Sequence, residues 1–390
     1  KTALAEAEVE YHDKESFTIW VKFKVVGTDD ASLDGAHVVI WTTTPWTMPS
    51  NKAVVYGEDI SYGLYEVTGR PEESWVTIGD RYLLSDSMAM DVFGRARLDD
   101  TMVRRLRDVT QDELAKIKLQ HPLAGAEGSN GEWEDLRDFR AADFVTDTEG
   151  TGFVHCAPSH GLEEYELYRG LGMLDQVITY NVVEDGSFRA DLPFFGGKKI
   201  LKPNGKEGDA NTAVINKLVE VGGLLARGKI KHSYPHSWRS KAPVIYRNTP
   251  QWFIAMDRDF AVPNGTCQAS LRDIALGAID QTQFVPGGGQ ARLHAMIQNR
   301  PDWVISRQRA WGVPITVFVH KETGELLNDP AVNARIVEAV EAEGADAWFA
   351  SEPARFLGND YSADDYDQVM DILDVWFDSG STHSFVLEHR

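Results

Sequence analysis

The sequence has 390 residues, of which 43% are hydrophobic and 25% are charged, and this composition excludes a wholly disordered chain. At about 150 residues per domain, the length predicts two or three domains. Thirty-nine basic residues against 60 acidic residues give a net charge of −21. This charge argues against binding of nucleic acid over the whole surface, but it permits a local basic face.

The cysteine content and the hydropathy pattern favour a cytoplasmic protein. Cys156 and Cys267 are too few for a disulfide framework and fit a reducing compartment. No apolar run approaches the roughly 20 residues that span a bilayer, so we expect no membrane segment. The first residues are charged and carry neither a signal sequence nor an initiator Met. We therefore expect an internal piece of a longer chain.

Residues typical of β-strands dominate the first part of the chain. The sequence predicts strands within residues 17–26, 38–44 and 51–67, because these segments are rich in β-branched and aromatic residues. It predicts helices over residues 108–119 and 209–221, the second with Asp209 as a possible cap.

From about residue 233 the chain becomes rich in aromatic residues. The sequence predicts helices over residues 268–279 and 331–343, a loop at 286–289, a short strand at 303–306, and a strand at 371–377 that ends in a turn at 378–380. The alternation of strands and helices indicates an α/β or α+β protein in at least two units. We place the boundary between them near residue 232.

The first segment that could carry chemistry contains three consecutive threonines, Thr42, Thr43 and Thr44, followed by Pro45. In a strand, Thr42 and Thr44 would share one face. Pro45 would then turn the chain, so that Thr44, Thr47 and Asn51 could surround a small polar pocket. The alternative is purely structural, since threonine is a good strand former.

The second segment runs from Gly150 to Tyr165. His155 is expected where a strand passes into a loop, a common location for functional side chains. Glu163 and Glu164 would lie in the first turn of a following helix, where the helix dipole alone favours carboxylates. Alternatively, one of the two binds an ammonium group. A metal site using His155 and His160 is a further alternative, although the spacing matches no known metal motif.

The third segment is a basic stretch between Val221 and Met256 that contains no acidic residue. Interleaved aromatic residues make it suitable for a phosphate backbone and stacked bases. The alternative is a solvated face over a buried aromatic cluster. The candidate nucleic-acid-binding residues are Arg227, Lys229, Lys231, Arg239 and Lys241.

These segments in this order resemble isoleucyl-tRNA synthetases, a family of class I aminoacyl-tRNA synthetases. The resemblance also rests on residues 232–239, 249–253, 300–314 and 373–381 and covers nearly the whole chain. The family's ATP-binding signatures, His-Ile-Gly-His and Lys-Met-Ser-Lys-Ser, do not occur. The resemblance therefore implies an internal fragment that cannot form aminoacyl-adenylate and that needs no cofactor, whereas the full-length enzyme uses ATP and Mg.

The resemblance implies a β-barrel-like mixed α/β editing domain and part of a split Rossmann-type nucleotide-binding domain. The implied divisions are an editing insertion at 1–232, part of the catalytic domain at 233–320, a smaller connective insertion at 321–370, and the start of a catalytic-core strand and turn at 371–390. The implied partners are the isoleucine tRNA and its mischarged valyl 3′ end. A monomer is expected.

The implied activity is hydrolysis of valine attached in error to the tRNA for isoleucine. One methylene in an apolar pocket is worth only about 1–3 kcal/mol, a magnitude established for isoleucine against valine in this very family, so binding alone discriminates too little. By resemblance, Thr42, Thr43 and Thr44 line the editing pocket and Asn51 binds substrate there. His155 would contact the terminal adenosine and help exclude isoleucine, while an ordered water attacks with help from the ribose hydroxyl.

Two positions depart from the family pattern. The family usually has aspartate where Glu164 stands, and that aspartate binds the α-ammonium of the substrate. The extra methylene shifts the carboxylate by about 1.5 Å, and such a misplacement can cost about 100-fold in rate. Many relatives carry a zinc-binding Cys pair where this chain has Ser237 and Ser240, so we expect no zinc.

Trp376 matches a tryptophan of the synthetic isoleucine pocket, which is incomplete in this chain.

Two other functions remain open from the sequence. In the first, the chain is an editing-inactive tRNA-binding module because Glu164 has disabled the chemistry, and Glu164→Asp would then restore hydrolysis. In the second, it is a metallohydrolase that uses His155 and His160, and strong chelation would then abolish its activity.

Overall fold

The structure, a computed structural model, describes residues 2–261 and 268–388. Cys267, one of the two cysteines, lies outside the described residues. The chain divides into two compact units. The sheet unit is Ala7–Thr249, and the second unit comprises residues 1–6 and 250–390 as far as they are described.

The sheet unit is built on one ten-stranded mixed sheet. Its strands are β1 (Val9–Gly27), β2 (His37–Thr42), β3 (Ala53–Tyr56), β4 (Tyr62–Val67), β5 (Arg81–Ser85), β6 (Val103–Val109), β7 (Lys118–Gln120), β8 (Arg137–Ala141), β9 (Phe153–Cys156) and β10 (Leu224–Ser237). Across the sheet they lie in the order β6-β4-β5-β2-β1-β7-β8-β3-β9, and β10 pairs with β1. The β2–β5 and β3–β8 pairs are parallel, and the other pairs are antiparallel. Over the described residues this order does not close on itself, so the mixed α/β class is confirmed but the sheet is open and forms no barrel.

The two faces of the sheet carry separate cores, as the two-residue period of a strand requires. Five helices accompany the sheet: α1 (Ala89–Arg95), α2 (Gln111–Leu114), α3 (Leu162–Gly170), α4 (Leu174–Val177) and α5 (Ala210–Glu220). In β1, Ile19 and Val21 join the core that α5 covers. Trp20, between them, joins the core that contains Val92 and Phe93 of α1.

β1 and β10 form a long antiparallel ribbon. The register runs from Val9 opposite Ser237 to Val21 opposite Leu224. Residue 232, near the predicted domain boundary, lies inside β10, and the division into compact units falls after Thr249. No helix among the described residues combines the length and the apolar character needed to cross a membrane.

The second unit contains short strands in antiparallel pairs. They are β11 (Phe253–Ile254), β12 (Phe260–Ala261), β13 (Gln268–Ala269), β14 (Trp303–Val304), β15 (Ser306–Arg307), β16 (Phe318–His320), β17 (Tyr366–Gln368) and β18 (Ile372–Leu373). The helices are α6 (Leu271–Gln281), α7 (Gly288–Gln298), α8 (Pro330–Glu343), α9 (Asp346–Ala350), α10 (Pro353–Leu357) and α11 (Val375–Gly380), and a π-helix follows at His383–Glu388. Phe318, Trp348 and Phe356 form the centre of a small core under α8.

Most predicted elements are present, but three differ from the structure. The predicted loop at 286–289 ends at Gly287, because Gly288 begins α7, a helix that the sequence did not predict. The segment 108–119 contains the end of β6, the single-turn helix α2 and the start of β7 instead of one helix. Thr110 caps α2 through a reciprocal bond with Glu113, which confines the helix to one turn. The predicted strand at 371–377 ends after two residues, because the Asp374 carboxylate accepts the Trp376 N–H and starts α11.

Candidate functional site

The threonine motif ends β2 and leads into a single 3₁₀ turn, Pro45–Ser50. The Thr42 hydroxyl accepts the Thr44 N–H at 3.1 Å, and the two threonine hydroxyl oxygens lie 3.2 Å apart. Because this side-chain bond competes with the sheet ladder, the strand stops at Thr42. The predicted strand through Thr44 is therefore too long, although the Thr42 and Thr44 hydroxyls do meet. Thr43 lies between them with a partly exposed side chain.

His155, in β9, forms hydrogen bonds to the Pro45–Ser50 turn and to Asn51, the residue that follows the turn. Thr47 Oγ lies 2.9 Å from His155 Nε2 and donates its own hydrogen to the Thr44 carbonyl at 2.8 Å. Asn51 Nδ2 lies 2.9 Å from His155 Nδ1 and donates to the Ala53 carbonyl at 2.7 Å. The structure therefore brings Thr42, Thr44, Asn51 and His155 into one hydrogen-bonded group through Thr47.

The hydrogen-bond partners fix the protonation of His155. An amide nitrogen can only donate, so Asn51 requires Nδ1 of His155 to be an acceptor, and Nε2 then carries the hydrogen and donates to Thr47. Burial lowers the pKa of His155 to about 3, with a smaller contribution from His160. The imidazole is therefore neutral at physiological pH, and both of its nitrogens are occupied by protein groups.

Asn51 carries an unusual unsatisfied group. Its side chain is 1% exposed, and its Oδ1 atom has no hydrogen-bond partner within the described part of the chain. An unpaired buried acceptor costs about 1–3 kcal/mol. The atom itself is buried, so in this structure the unpaired acceptor lies inside the candidate site and not on its surface.

Side chains from distant segments hold the Pro45–Ser50 turn. His121 Nε2 donates to the Met48 carbonyl at 3.1 Å, and Trp133 Nε1 donates to the Pro49 carbonyl at 2.9 Å. At the start of the turn, Asn211 Oδ1 accepts the Trp46 N–H at 3.0 Å. These side chains therefore fix the position of the turn, which does not pair with any of the described strands.

His160 belongs to this support. Its Nδ1 donates to the Tyr246 carbonyl at 2.9 Å, and its Nε2 accepts from the Ser50 hydroxyl at 2.9 Å. Asn181 donates to the same hydroxyl at 3.1 Å. Burial lowers the pKa of His160 to about 4. Sequence reasoning missed these partners, because Tyr246 and Asn181 are distant in the chain and carry no motif.

Glu164 occupies the third position of α3, as predicted. Its carboxylate folds back over Gly161, where a Cβ atom would lie 1.7 Å from Glu164 Oε2, so a larger residue at 161 would displace this carboxylate. Burial raises the pKa of Glu164 to about 7. Its charge also contributes, after burial, to the raised pKa of the Cys156 thiol, which follows His155 in the chain. Glu164 makes no ion pair with any basic side chain that the structure describes.

The basic stretch is largely neutralised within the β1–β10 ribbon. Lys229 pairs with Glu15 at 2.6 Å, Lys231 with Asp13 at 2.9 Å and Lys241 with Glu10 at 2.5 Å. Two further cations lie over indole rings, Arg227 over Trp75 and Arg239 over Trp238. Acidic residues that are distant in the sequence thus face the lysines, and a role in tRNA binding stays a prediction.

Trp376 belongs to the second unit, where it is 70% exposed at the start of α11. The Asp374 carboxylate that caps this helix forms a buried ion pair with Arg307 at 2.6 Å. The role of Trp376 in an isoleucine pocket stays a prediction.

A metal site finds no support in the described residues. No group of three or more His, Cys, Asp or Glu side chains there is arranged to hold a metal ion. Both ring nitrogens of His155 and of His160 are engaged by protein partners. The two histidines therefore offer no free ligand atom for a metallohydrolase.

Comparison with known proteins identifies the family. The model for class I tRNA synthetases (I, L, M and V) matches residues 1–390, and the chain belongs to this family. An isoleucine–tRNA ligase of Ruegeria pomeroyi is 68% identical over 397 residues, and one of Bartonella quintana is 51% identical over 403. Each alignment covers the whole of this chain and 40% of the relative, so the chain spans about 40% of the length of these curated relatives.

Solved structures of leucyl-tRNA synthetase domains show a weaker similarity. A structure described as "The crystal structure of GlLeuRS-CP1" is 12% identical with a TM-score of 0.38, and the match covers 54% of this chain and 99% of that one. The editing domain of the Plasmodium falciparum cytosolic enzyme is 10% identical with a TM-score of 0.31, covering 52% of this chain and 80% of that one.

Proposed function

We propose that the chain is the editing part of an isoleucine–tRNA ligase and that its sheet unit hydrolyses valine attached in error to the tRNA for isoleucine. The observation that carries the proposal is the hydrogen-bonded group of Thr42, Thr44, Thr47 and Asn51 around a neutral His155. Family membership and the identity with isoleucine–tRNA ligases support it.

In this proposal the whole protein attaches isoleucine to its tRNA in the cytoplasm, with ATP and Mg. The signatures that bind ATP do not occur in these 390 residues, so no step of adenylate formation is assigned to this chain. Residues 233–320 and 371–390 would belong to the catalytic domain and residues 321–370 to a smaller insertion. Trp376 would then line part of the isoleucine pocket.

The proposed chemistry is hydrolysis of an ester. A water molecule attacks the acyl carbon and gives up a proton. The bond between this carbon and the ribose oxygen breaks, and the ribose oxygen takes up a proton. Thr42, Thr43 and Thr44 would bind the ester and the terminal ribose, and Asn51 would contribute to substrate binding beside them. Because its nitrogens are occupied and its pKa is low, His155 would act as a fixed wall that excludes isoleucine rather than as a proton carrier.

Glu164 would bind the α-ammonium group of the valyl ester. Its carboxyl has a pKa raised to about 7 by burial, so it is only partly ionised at neutral pH. An ammonium group beside it favours the ionised form. The anchor is therefore expected to strengthen as the pH rises through 7.

The test is hydrolysis of valyl-tRNA and isoleucyl-tRNA, each carrying the tRNA for isoleucine, by the protein that contains this chain. We expect a clear preference for the valyl ester, because a fixed His155 side chain would leave no room for the added methylene. Equal rates for the two esters would exclude selection by size. Complete absence of valyl hydrolysis, with restoration by Glu164→Asp, would instead identify an inactive binding module.

A further inference from the structure

The proposed chemistry uses His155 but not His160, although both histidines contact the Pro45–Ser50 turn. His160 meets the turn near each of its ends. Its ring packs edge-on against the ring of Trp46, with the ring centroids 4.9 Å apart, and its Nε2 lies 2.9 Å from the Ser50 hydroxyl oxygen. The His160 side chain is buried, so these contacts are made with protein groups rather than at the surface.

The contacts of the two histidines alternate along the chain. Positions 46 and 50 contact His160, whereas positions 47 and 51 form hydrogen bonds with His155. One side of the turn is therefore directed to His160 and another to His155. Because Asn51 directly follows Ser50, a displacement of Ser50 also displaces the amide that holds His155.

Buried hydrogen bonds fix the orientation of the Ser50 hydroxyl. Asn181 Nδ2 donates to this hydroxyl at 3.1 Å, and Asn181 Oδ1 accepts from Arg189 Nε at 2.9 Å. His160 Nδ1 donates to the Tyr246 carbonyl at 2.9 Å, so in the neutral ring Nε2 is an acceptor and the Ser50 hydrogen points at it. Each group in this series has one role, which holds Ser50 in one position.

His160 also lies between the two residues to which the proposed function assigns substrate contacts. It follows His155 by five residues and precedes Glu164 by four, in the loop that joins β9 to α3. Its ring is bonded to Ser50 on one side and to Tyr246 on the other. These two bonds therefore fix the middle of the path that the chain takes from His155 to Glu164.

We propose that His160 is a positioning residue that sets the length of the amino-acid side chain admitted to the editing site. The inference rests on the proposed function, in which Glu164 binds the α-ammonium group and His155 limits the space for the side chain. The separation of these two residues then decides which side chain fits. One methylene corresponds to about 1.5 Å, so a displacement of that order would remove the size limit.

The experiment measures kcat/KM for hydrolysis of valyl-tRNA and isoleucyl-tRNA by the protein that contains this chain. His160→Asn keeps a donor for the Tyr246 carbonyl and loses the acceptor for Ser50, while Ser50→Ala removes the same bond from the other side. We expect each variant to lower the ratio of valyl to isoleucyl hydrolysis by about tenfold or more, the scale of discrimination that one methylene provides. A purely structural role would lower both rates by one factor and leave the ratio unchanged.

His160→Gln is the matched control, because its amide oxygen can take the place of Nε2 and accept the Ser50 hydrogen. It should keep most of the wild-type ratio. The double variant His160→Asn with Ser50→Ala should lose no more selectivity than either single variant, since both changes remove one bond. Ser50→Ala, a smaller change, provides the test if His160→Asn does not fold.

The outcomes separate this inference from the proposed function. If the wild-type protein hydrolyses neither ester, or both at equal rates, the proposed function fails and the positioning role fails with it. If the wild-type protein prefers the valyl ester and the folded His160→Asn and Ser50→Ala variants keep that preference, the proposed function stands and the positioning role of His160 is wrong.

Discussion

His155 shows how a single side chain at the candidate site is constrained. Thr47 and Asn51 hold its two ring nitrogens, each at 2.9 Å, in a pattern that fits only one neutral tautomer. Protonation would place a second ring N–H against the Asn51 amide hydrogens. The residue is therefore fixed and uncharged, which suits its proposed role in selecting a substrate by size.

Glu164 gives a prediction at the same scale. Burial raises its pKa to about 7 in the folded protein, above the ordinary value of 4.5. The ionised carboxyl therefore lowers the stability of the fold as the pH rises from 4.5 through 7. We expect Glu164→Gln to raise the melting temperature at pH 8 and to leave it nearly unchanged at pH 4, as measured by circular dichroism.

Glu164→Asp, which keeps the charge, is the control for this variant and should retain the pH dependence of the wild type. Valyl-tRNA hydrolysis should fall in the Gln variant, because a neutral amide cannot anchor the ammonium group. An equal change in melting temperature at both pH values would contradict a raised pKa.

The sequence predicted which residues meet at the site better than it predicted their supports. The Pro after the threonine run indicated a turn, and the turn does bring Thr44, Thr47 and Asn51 together. The partner of His160 is a backbone carbonyl at Tyr246. Any residue type supplies such a carbonyl, so no sequence pattern reveals it.

At the scale of elements, the Pro45–Ser50 turn depends on side chains from other segments. Trp133 is buried, donates to the Pro49 carbonyl at 2.9 Å, and lies between the rings of His121 and Phe194. Residues that position a site in this way keep its geometry within the tolerance that catalysis needs.

Trp133→Phe should destabilise the sheet unit and weaken the proposed hydrolysis. The variant leaves the Pro49 carbonyl without its donor, at a cost of about 1–3 kcal/mol, in addition to the smaller ring volume. Chemical denaturation measures the loss. Trp75→Phe, at a 42% exposed position, is the control and should have little effect. Unchanged stability of the Trp133 variant would show that the turn does not depend on this bond.

The misassigned elements were decided by contacts that local sequence preference does not include. β6 pairs with β4, and this long-range pairing places residues 108 and 109, the start of the predicted helix, in a strand. At Asp374 a side-chain cap starts a helix within a β-forming run. The regularly patterned segments, such as α5 and the part of β1 from Phe17 onward, agree with prediction because their apolar faces determine both structure and burial.

For the whole molecule, buried histidines predict sensitivity to acid. Burial lowers the pKa of His37 to about 4, of His155 to about 3 and of His160 to about 4, and it also lowers that of His121. All four lie in the sheet unit. The unfolded chain takes up protons on these groups near pH 6.5 and the folded chain does not, so stability falls as the pH drops below about 6.5.

Each such histidine contributes about 1.4 kcal/mol per pH unit between its unfolded and folded pKa values. The raised pKa of Glu164 has the opposite effect on the free energy of unfolding between pH 7 and 4.5, but it is a single group and the histidines are four. Denaturant unfolding at pH 7, 6 and 5 should therefore show a steep loss of stability. A free energy of unfolding that stays constant over this range would contradict the burial of neutral histidines.

The pairing of β1 with β10 places the first and the last strand of the sheet unit side by side, with Val9 opposite Ser237. A segment whose two ends are neighbours can be exchanged or deleted by joining the strands with a short connection, since the flanking polypeptide need not be stretched. The ribbon therefore allows this part of the protein to be gained, lost or exchanged between related genes as one unit.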